Sequence, residues 1–169
     1  MATRKERQRG SAMIEFTLVG IPMMFLLISI FEMSRAMWNY HTLAFALREG
    51  TRYAVVHGAG CSTDPRNSCQ ATVSQVAQRI QDAGIGLDAD QLALTFTSSG
   101  NSVKCTLKTC LATATSWPEA PKNTAGSAIA ISGSLPFQSA LVMFWPGAGK
   151  GVGIPTAYLT AGSADIIQF

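Results

Sequence analysis

The sequence predicts an α+β protein. One long N-terminal helix spans a membrane with its first half, and a small head follows, with a short helix and an antiparallel sheet of about 3–5 strands. Three observations predict it. Residues 16–31 carry no charge and hold ten Phe, Leu, Ile or Val plus two Met. Apolar residues then recur at helical spacing well beyond that run. After residue 58, short apolar stretches alternate with Gly, Pro, Asn and Ser. Composition agrees: the 169 residues are 47% hydrophobic and only 14% charged, about half the charged share of an ordinary soluble domain.

The charge is unevenly spread. Arg4, Lys5, Arg7 and Arg9 against Glu6 account for the whole net charge of +3. A nucleic-acid binder distributes basic residues over a folded surface, so no nucleic acid is expected as a partner. A basic tail abutting an apolar run is a topology signal. It puts the N-terminus in the cytoplasm and everything after residue 31 on the far side, with membrane lipid around the span.

The ten aliphatic and aromatic residues contribute about −3 to −6 kcal/mol of insertion free energy, partly offset by Thr17, Gly20, Pro22 and Ser29. Residues 11–31 make a helix of about 31 Å, the thickness of the hydrocarbon layer. Ser34, Arg35 and Ala36 formally satisfy a secretory cleavage pattern. Against cleavage there, the apolar run is long for a signal peptide and helical patterning continues through the site. Met33, Ala36, Met37, Tyr40, Ala44 and Leu47 recur three or four apart, and Glu32 and Arg35 lie one turn apart. The helix is expected over 11–57, stopping at Gly58 or Gly60. Its length of about 70 Å is more than twice what a bilayer needs. Pro22 is expected to kink it, and Arg48 to Tyr53 form a polar turn near its end.

Glu15 has two readings. It sits solvated at the cytoplasmic interface, or its costly place beside an apolar helix calls for a cationic partner.

The string Arg9, Gly10, Ser11 to Ile14, Glu15 and Phe16, followed at once by the apolar run, resembles the processing site of type IV prepilins. More closely it resembles TadE-like minor pilins (pseudopilins) of the tight-adherence (Tad/Flp) pilus. Pro22, the pair Glu32 and Arg35, and the Ala/Arg/Glu-rich Ala46 to Tyr53 follow in the family's order, although Ser34 stands where glycine is common. The resemblance covers about residues 9–54. It implies a prepilin peptidase that cuts between Gly10 and Ser11, making Glu15 the fifth residue of the mature chain and Phe16 the sixth. Residues 1–10 are then a cytoplasmic leader, 11–57 the helix and 58–169 a periplasmic or extracellular head. The implied partners are the peptidase, other pilins through the N-terminal helix, and the assembly platform in the bacterial inner membrane.

Physical chemistry gives the motif sense. A cut after Gly10 removes the excess positive charge and frees an ammonium on Ser11. In a bundle of such helices that ammonium and a neighbour's Glu15 can pair in a low-dielectric core and set the register. Glycine before the cut lacks the Cβ that would hold catalytic groups away from the backbone. Ser11, Glu15, Pro22, Glu32 and Arg35 are the expected assembly residues.

In the head, Gly58 to Ser68 reads as a loop. Val73, Val76, Ala77, Ile80 and Ala83 form the apolar stripe of a short helix with Gln75, Gln78, Arg79 and Asp82 on its wet face and Gly84 as its stop. Leu92, Leu94 and Phe96 alternate as a strand, Ser98 to Ser102 turn the chain, and Val103, Cys105 and Leu107 return it as a hairpin. Trp117, Pro118 and Pro121 mark a long loop, Ile129 and Ile131 a third strand, and Thr156 to Ile167 at least one more. Ala140 to Trp145, too short to span, is either core or an exposed contact surface before the Gly-rich Pro146 to Gly153.

Four cysteines, Cys61, Cys69, Cys105 and Cys110, allow three pairings on the non-cytoplasmic side. Joining Cys61 to Cys69 and Cys105 to Cys110 closes the shortest loops. Zinc is the rival, with His57 four residues before Cys61, but the spacing is wrong for usual ligand sets. No metal, cofactor or enzymatic activity is expected. Gly149 and Lys150 resemble a phosphate loop, but Phe144 and Gly151 occupy its first-glycine and hydroxyl positions. His41 and His57 have no evident catalytic partners and are expected at an interface or on the surface. The expected function is a minor pilin that is clipped and assembled into or beneath a pilus for adhesion, surface colonisation or biofilm formation. The alternative is a signal-anchored single-pass protein whose ectodomain binds a ligand or partner.

Overall fold

A computed structural model describes the backbone of residues 4–61, 69–139 and 157–168, and the side chains of its first segment from residue 12 onward. Helix α1 runs over Arg4–Val55 without interruption at Pro22. It therefore begins earlier than the expected start at residue 11, because residues 4–9 are Arg, Lys, Glu and Gln, all good helix formers. It also ends two residues sooner than expected. A turn and a single 3-10 turn over Ala59–Cys61 follow.

Among the described residues, 4–35 fall in one compact unit, and 36–61, 69–138 and 157–168 in a second. In the second unit, α1 packs through Leu43, Ala46, Leu47, Ala54 and Val55, all buried. The helical spacing of Met33 to Leu47 does continue α1 past residue 36; Met33, Met37 and Tyr40 are exposed and Leu47 is fully buried.

Helix α2 spans Val73–Ala83 and buries Val73, Val76, Ala77 and Ile80. Thr72 caps it: its hydroxyl accepts from Gln75 N, and the Gln75 side chain accepts from Thr72 N at 3.0 Å, a reciprocal capping box. At the other end Gly84 N–H donates to the Ile80 and Gln81 carbonyls.

Four antiparallel strands follow, β1 (Ala93–Ser98), β2 (Asn101–Thr106), β3 (Ala128–Phe137) and β4 (Ala157–Ile166), in the order β2-β1-β3-β4. The β1–β2 turn places Ser99 and Gly100 at positive φ, 43° and 92°. Leu94 and Phe96 of β1 and Ile129, Ile131 and Leu135 of β3 point into the core with the helices. Gly133 belongs to this inner row: a Cβ there would lie 3.1 Å from Leu43 Cδ1 and 3.2 Å from Leu47 Cδ1, so glycine lets α1 approach β3.

Leu107 does not extend β2, as the alternation implies, but opens a five-residue helix α3, Leu107–Leu111. Thr106 caps it, Lys108 N–H donates to Ala89 O, and Leu107 N–H donates to Leu92 O. Ala140 to Trp145 and Pro146 to Gly153 lie outside the described residues.

Candidate functional site

From Met13 to Phe31 the large apolar side chains of α1 are more than half exposed, apart from the half-buried Ile28. An 18-residue window of this helix reaches a mean hydropathy of 2.2, long and apolar enough to cross a membrane. The few polar side chains fold back on the helix. Thr17 Oγ1 donates to the Met13 or Ile14 carbonyl, Ser29 Oγ to Phe25 O at 2.8 Å, and Ser34 Oγ to Ile30 O at 2.9 Å. Each hydroxyl is thereby satisfied within the segment, which lowers its cost in an apolar solvent.

Glu15, Phe16 and Pro22 are strung along this exposed part of α1, with Phe16 at 76% exposure. Gly10 and Ser11 belong to the same helical backbone, and the Ser11 side chain lies outside the described residues. Glu32 and Arg35 are brought together, with Arg35 Nη2 3.2 Å from Glu32 Oε2. The Glu32 carboxylate is nearly buried, 11% exposed, while Arg35 reaches outward at 43%. The ion pair places opposite charges together just where the apolar run ends.

In the second unit the cysteines join as Cys61–Cys69 and Cys105–Cys110, the short-loop pairing. Of the two positions expected for His57, at an interface or on the surface, the surface is excluded. It is buried, its ring stacks on Tyr53 at 4.0 Å, and its Nδ1 lies 2.7 Å from Tyr53 O. Tyr53 also takes the Arg79 guanidinium at 5.0 Å from its ring centroid, a cation–π contact between α1 and α2. His41 is exposed, with its ring edge-on to Tyr40 at 5.7 Å.

Sequence reasoning missed three features here. Gly50 is a packing position rather than part of a merely polar turn, Thr51 is buried with its hydroxyl on Leu47 O, and Trp117 is buried rather than part of an open loop. The apolar neighbours Leu47, Ala54 and Val55 at helical spacing were the available signal for the first two. No local signal marks the third.

Lys108 and Asp90 form the head's closest lysine–carboxylate pair among the described residues, Nζ to Oδ1 2.8 Å. The hydrogen bond and charge of Asp90 raise the Lys108 pKa above the ordinary lysine value.

The described chain is thus a long helix with a membrane-competent first half, followed by a helix-and-sheet head with two disulfides. Residues 10–52 match the family model described as TadE-like protein, and that match associates the chain with pilin-like proteins of the Tad pilus system. The match covers 43 of 169 residues, 10 through 52, and leaves the head outside it. No curated protein and no solved structure matches the chain.

Proposed function

We propose that this protein is a minor pilin or pseudopilin of a Tad pilus, itself a substrate rather than a catalyst. It enters the inner membrane with the basic leader in the cytoplasm, is cut by a prepilin peptidase between Gly10 and Ser11, and assembles through α1 with other pilins on the assembly platform. The observation that carries this reading is the TadE-like match beginning at Gly10, on the same residues where Ser11, Glu15 and Phe16 precede an exposed apolar helix.

The chemistry follows from charge. Before the cut, four basic side chains hold the N-terminus at the cytoplasmic face. Hydrolysis of the Gly10–Ser11 bond takes water, leaves a carboxylate on Gly10 and an ammonium on Ser11, and discards the leader. What remains is a helix whose N-terminal cation can enter the apolar layer only in company with an anion. Glu15 of a neighbouring subunit supplies that anion, and Pro22, Glu32 and Arg35 shape the rest of the contact. Adhesion, colonisation and biofilm formation are the roles such an assembly serves.

Intact mass of the protein recovered from cells tests the reading. The expected chain begins at Ser11. A chain that retains its first ten residues while fibres form normally sinks the proposal and favours a plain signal-anchored protein with a binding ectodomain.

A further inference from the structure

One end of the head is built without charge. Among the described residues, 36–47 of α1, 133–138 of β3 and 157–163 of β4 hold no Asp, Glu, Lys or Arg, although about a quarter of an ordinary domain's residues are charged. These three stretches lie together. Gly133 stands against Leu43 and Leu47, while Gln168 N–H, just past β4, donates to Val55 O at the far end of α1. Strand β3 therefore runs back along α1 toward the helix N-terminus. Its pairing of Pro136 with Tyr158 comes three rungs beyond Gly133, about 10 Å further, which is the rise of about six helical residues. Tyr158 is thus level with the turn of α1 that carries Met37 and Trp38.

The aromatic side chains at this level are bare, with Trp38 68% and Tyr158 65% exposed and Tyr40 also on the surface. Asn39, His41 and Thr160 between them are polar and carry no formal charge. Water alone suits such a surface poorly, because large apolar faces stay hydrated with no charged side chains among them. Hydrocarbon suits it no better, since the indole N–H, the phenol hydroxyls and the Asn39 amide would lose their hydrogen bonds. The headgroup layer of a bilayer accepts both halves of Trp and Tyr, an apolar ring and a polar tip. Continuity with the span puts that layer at this height. Helix α1 runs unbroken from Phe31, the last of the apolar run, to Trp38, and helical side chains lean toward the N-terminus. The Trp38 indole then covers the preceding turn, about 5 Å beyond Phe31, within a headgroup layer about 5–7 Å thick.

We propose that this end of the head rests in the lipid headgroup layer while the subunit is in the membrane, with Trp38, Tyr40 and Tyr158 as its anchors. Lacking charge, the surface suits zwitterionic lipid and gives anionic lipid no advantage. The inference rests on the reading that α1 spans the inner membrane and is independent of the cut after Gly10.

The test reconstitutes the full chain in phosphatidylcholine vesicles that carry a nitroxide on the headgroup or bromine at mid-chain, and reads tryptophan emission. Trp145→Phe leaves Trp38 and Trp117 as emitters, and adding Trp38→Phe leaves the buried Trp117 as a blank. Tyr158→Trp, at an exposed site, and Leu26→Trp, within the span, are each placed in that blank. Trp38 and the Tyr158→Trp reporter are expected to lose more emission to the headgroup nitroxide than to mid-chain bromine, and Leu26→Trp the reverse. Replacing part of the lipid by phosphatidylglycerol should leave that order unchanged. If bromine quenches Leu26→Trp while Tyr158→Trp matches the blank with both quenchers, the proposal is overturned and the span stands, whether that surface faces water or a second protein. Stronger quenching of Tyr158→Trp by bromine than by nitroxide also overturns it. Leu26→Trp untouched by bromine removes the span itself and this inference with it.

Discussion

Gly50 of α1 lies so close to Ile80 of α2 that a Cβ on it would stand 2.6 Å from Ile80 Cγ1 and 3.0 Å from its Cδ1. Ile80 is fully buried and branched at Cβ, so it has little freedom to withdraw. In Gly50→Ala, the gain of about 1 kcal/mol from better helix propensity competes with an overpacking cost of about 1–3 kcal/mol. The variant is expected to lose about 1 kcal/mol of head stability in denaturant titrations. Ile80→Ala alone should cost more, about 2–5 kcal/mol. Combined, the two losses should not add, because the second substitution clears the space the first needs. Strict additivity would disprove the contact.

The elements with several residues in phase were legible before the structure. The stripe from Val73 to Ile80 with Gly84 as stop gives α2, and the alternation of Leu92, Leu94 and Phe96 leads to the first hairpin. Five residues are too few to establish a helical period, so α3 passed as the end of a strand. Burial of His57 depends on its stacking with Tyr53, one turn earlier on the helix, and a histidine has no propensity that announces this. The burial of Trp117 is set by Ala71 and Phe96, distant in sequence. Of the proposed assembly residues, the spacing of Glu32 and Arg35 foretold their ion pair, while a partner for Glu15 across subunits is beyond what one chain displays.

The proposed cleavage after Gly10 and the proposed pairing through Glu15 separate under mutation. Gly10→Ala is expected to leave the leader attached, read as an uncut mass, and to abolish incorporation. Glu15→Ala is expected to be cut normally yet to enter fibres at least about tenfold less, since a lone ammonium in an apolar bundle is strongly disfavoured. Fractionation of sheared fibres against membranes distinguishes them, and full incorporation of the Glu15 variant would defeat the pairing account.

Cys105 and Cys110 join β2 to α3 across a separation of five residues. Closing so short a loop restricts the unfolded chain by about 2 kcal/mol. The double substitution Cys105→Ser with Cys110→Ser should therefore lower stability by about that amount, and non-reducing peptide mapping of the parent should recover both residues in one cross-linked fragment.

Asp90 raises the pKa of Lys108 through a hydrogen bond and its charge. Because the folded value exceeds the unfolded one, the favourable contribution is fully present below the ordinary lysine range and disappears as pH climbs through the raised value. NMR titration of the Lys108 side chain should show the elevated midpoint in the parent and its return toward the ordinary value in Asp90→Asn. An identical midpoint in both would remove the pair from the solution structure.

Among the described residues, strand β4 has only β3 beside it, and its inward positions hold Leu159, Ala161 and Ser163, none fully buried. What fastens it is the residue just past its end. Ile167 is 1% exposed, its N–H donates to Ser127 O, its carbonyl accepts from Gly126 N, and Gln168 N–H donates to Val55 O. The strand is thus held by its ladder with β3 along its length and pinned further at its C-terminal end, so deuterium should invade it from the Ala157 side and reach the amide of Ile167 last.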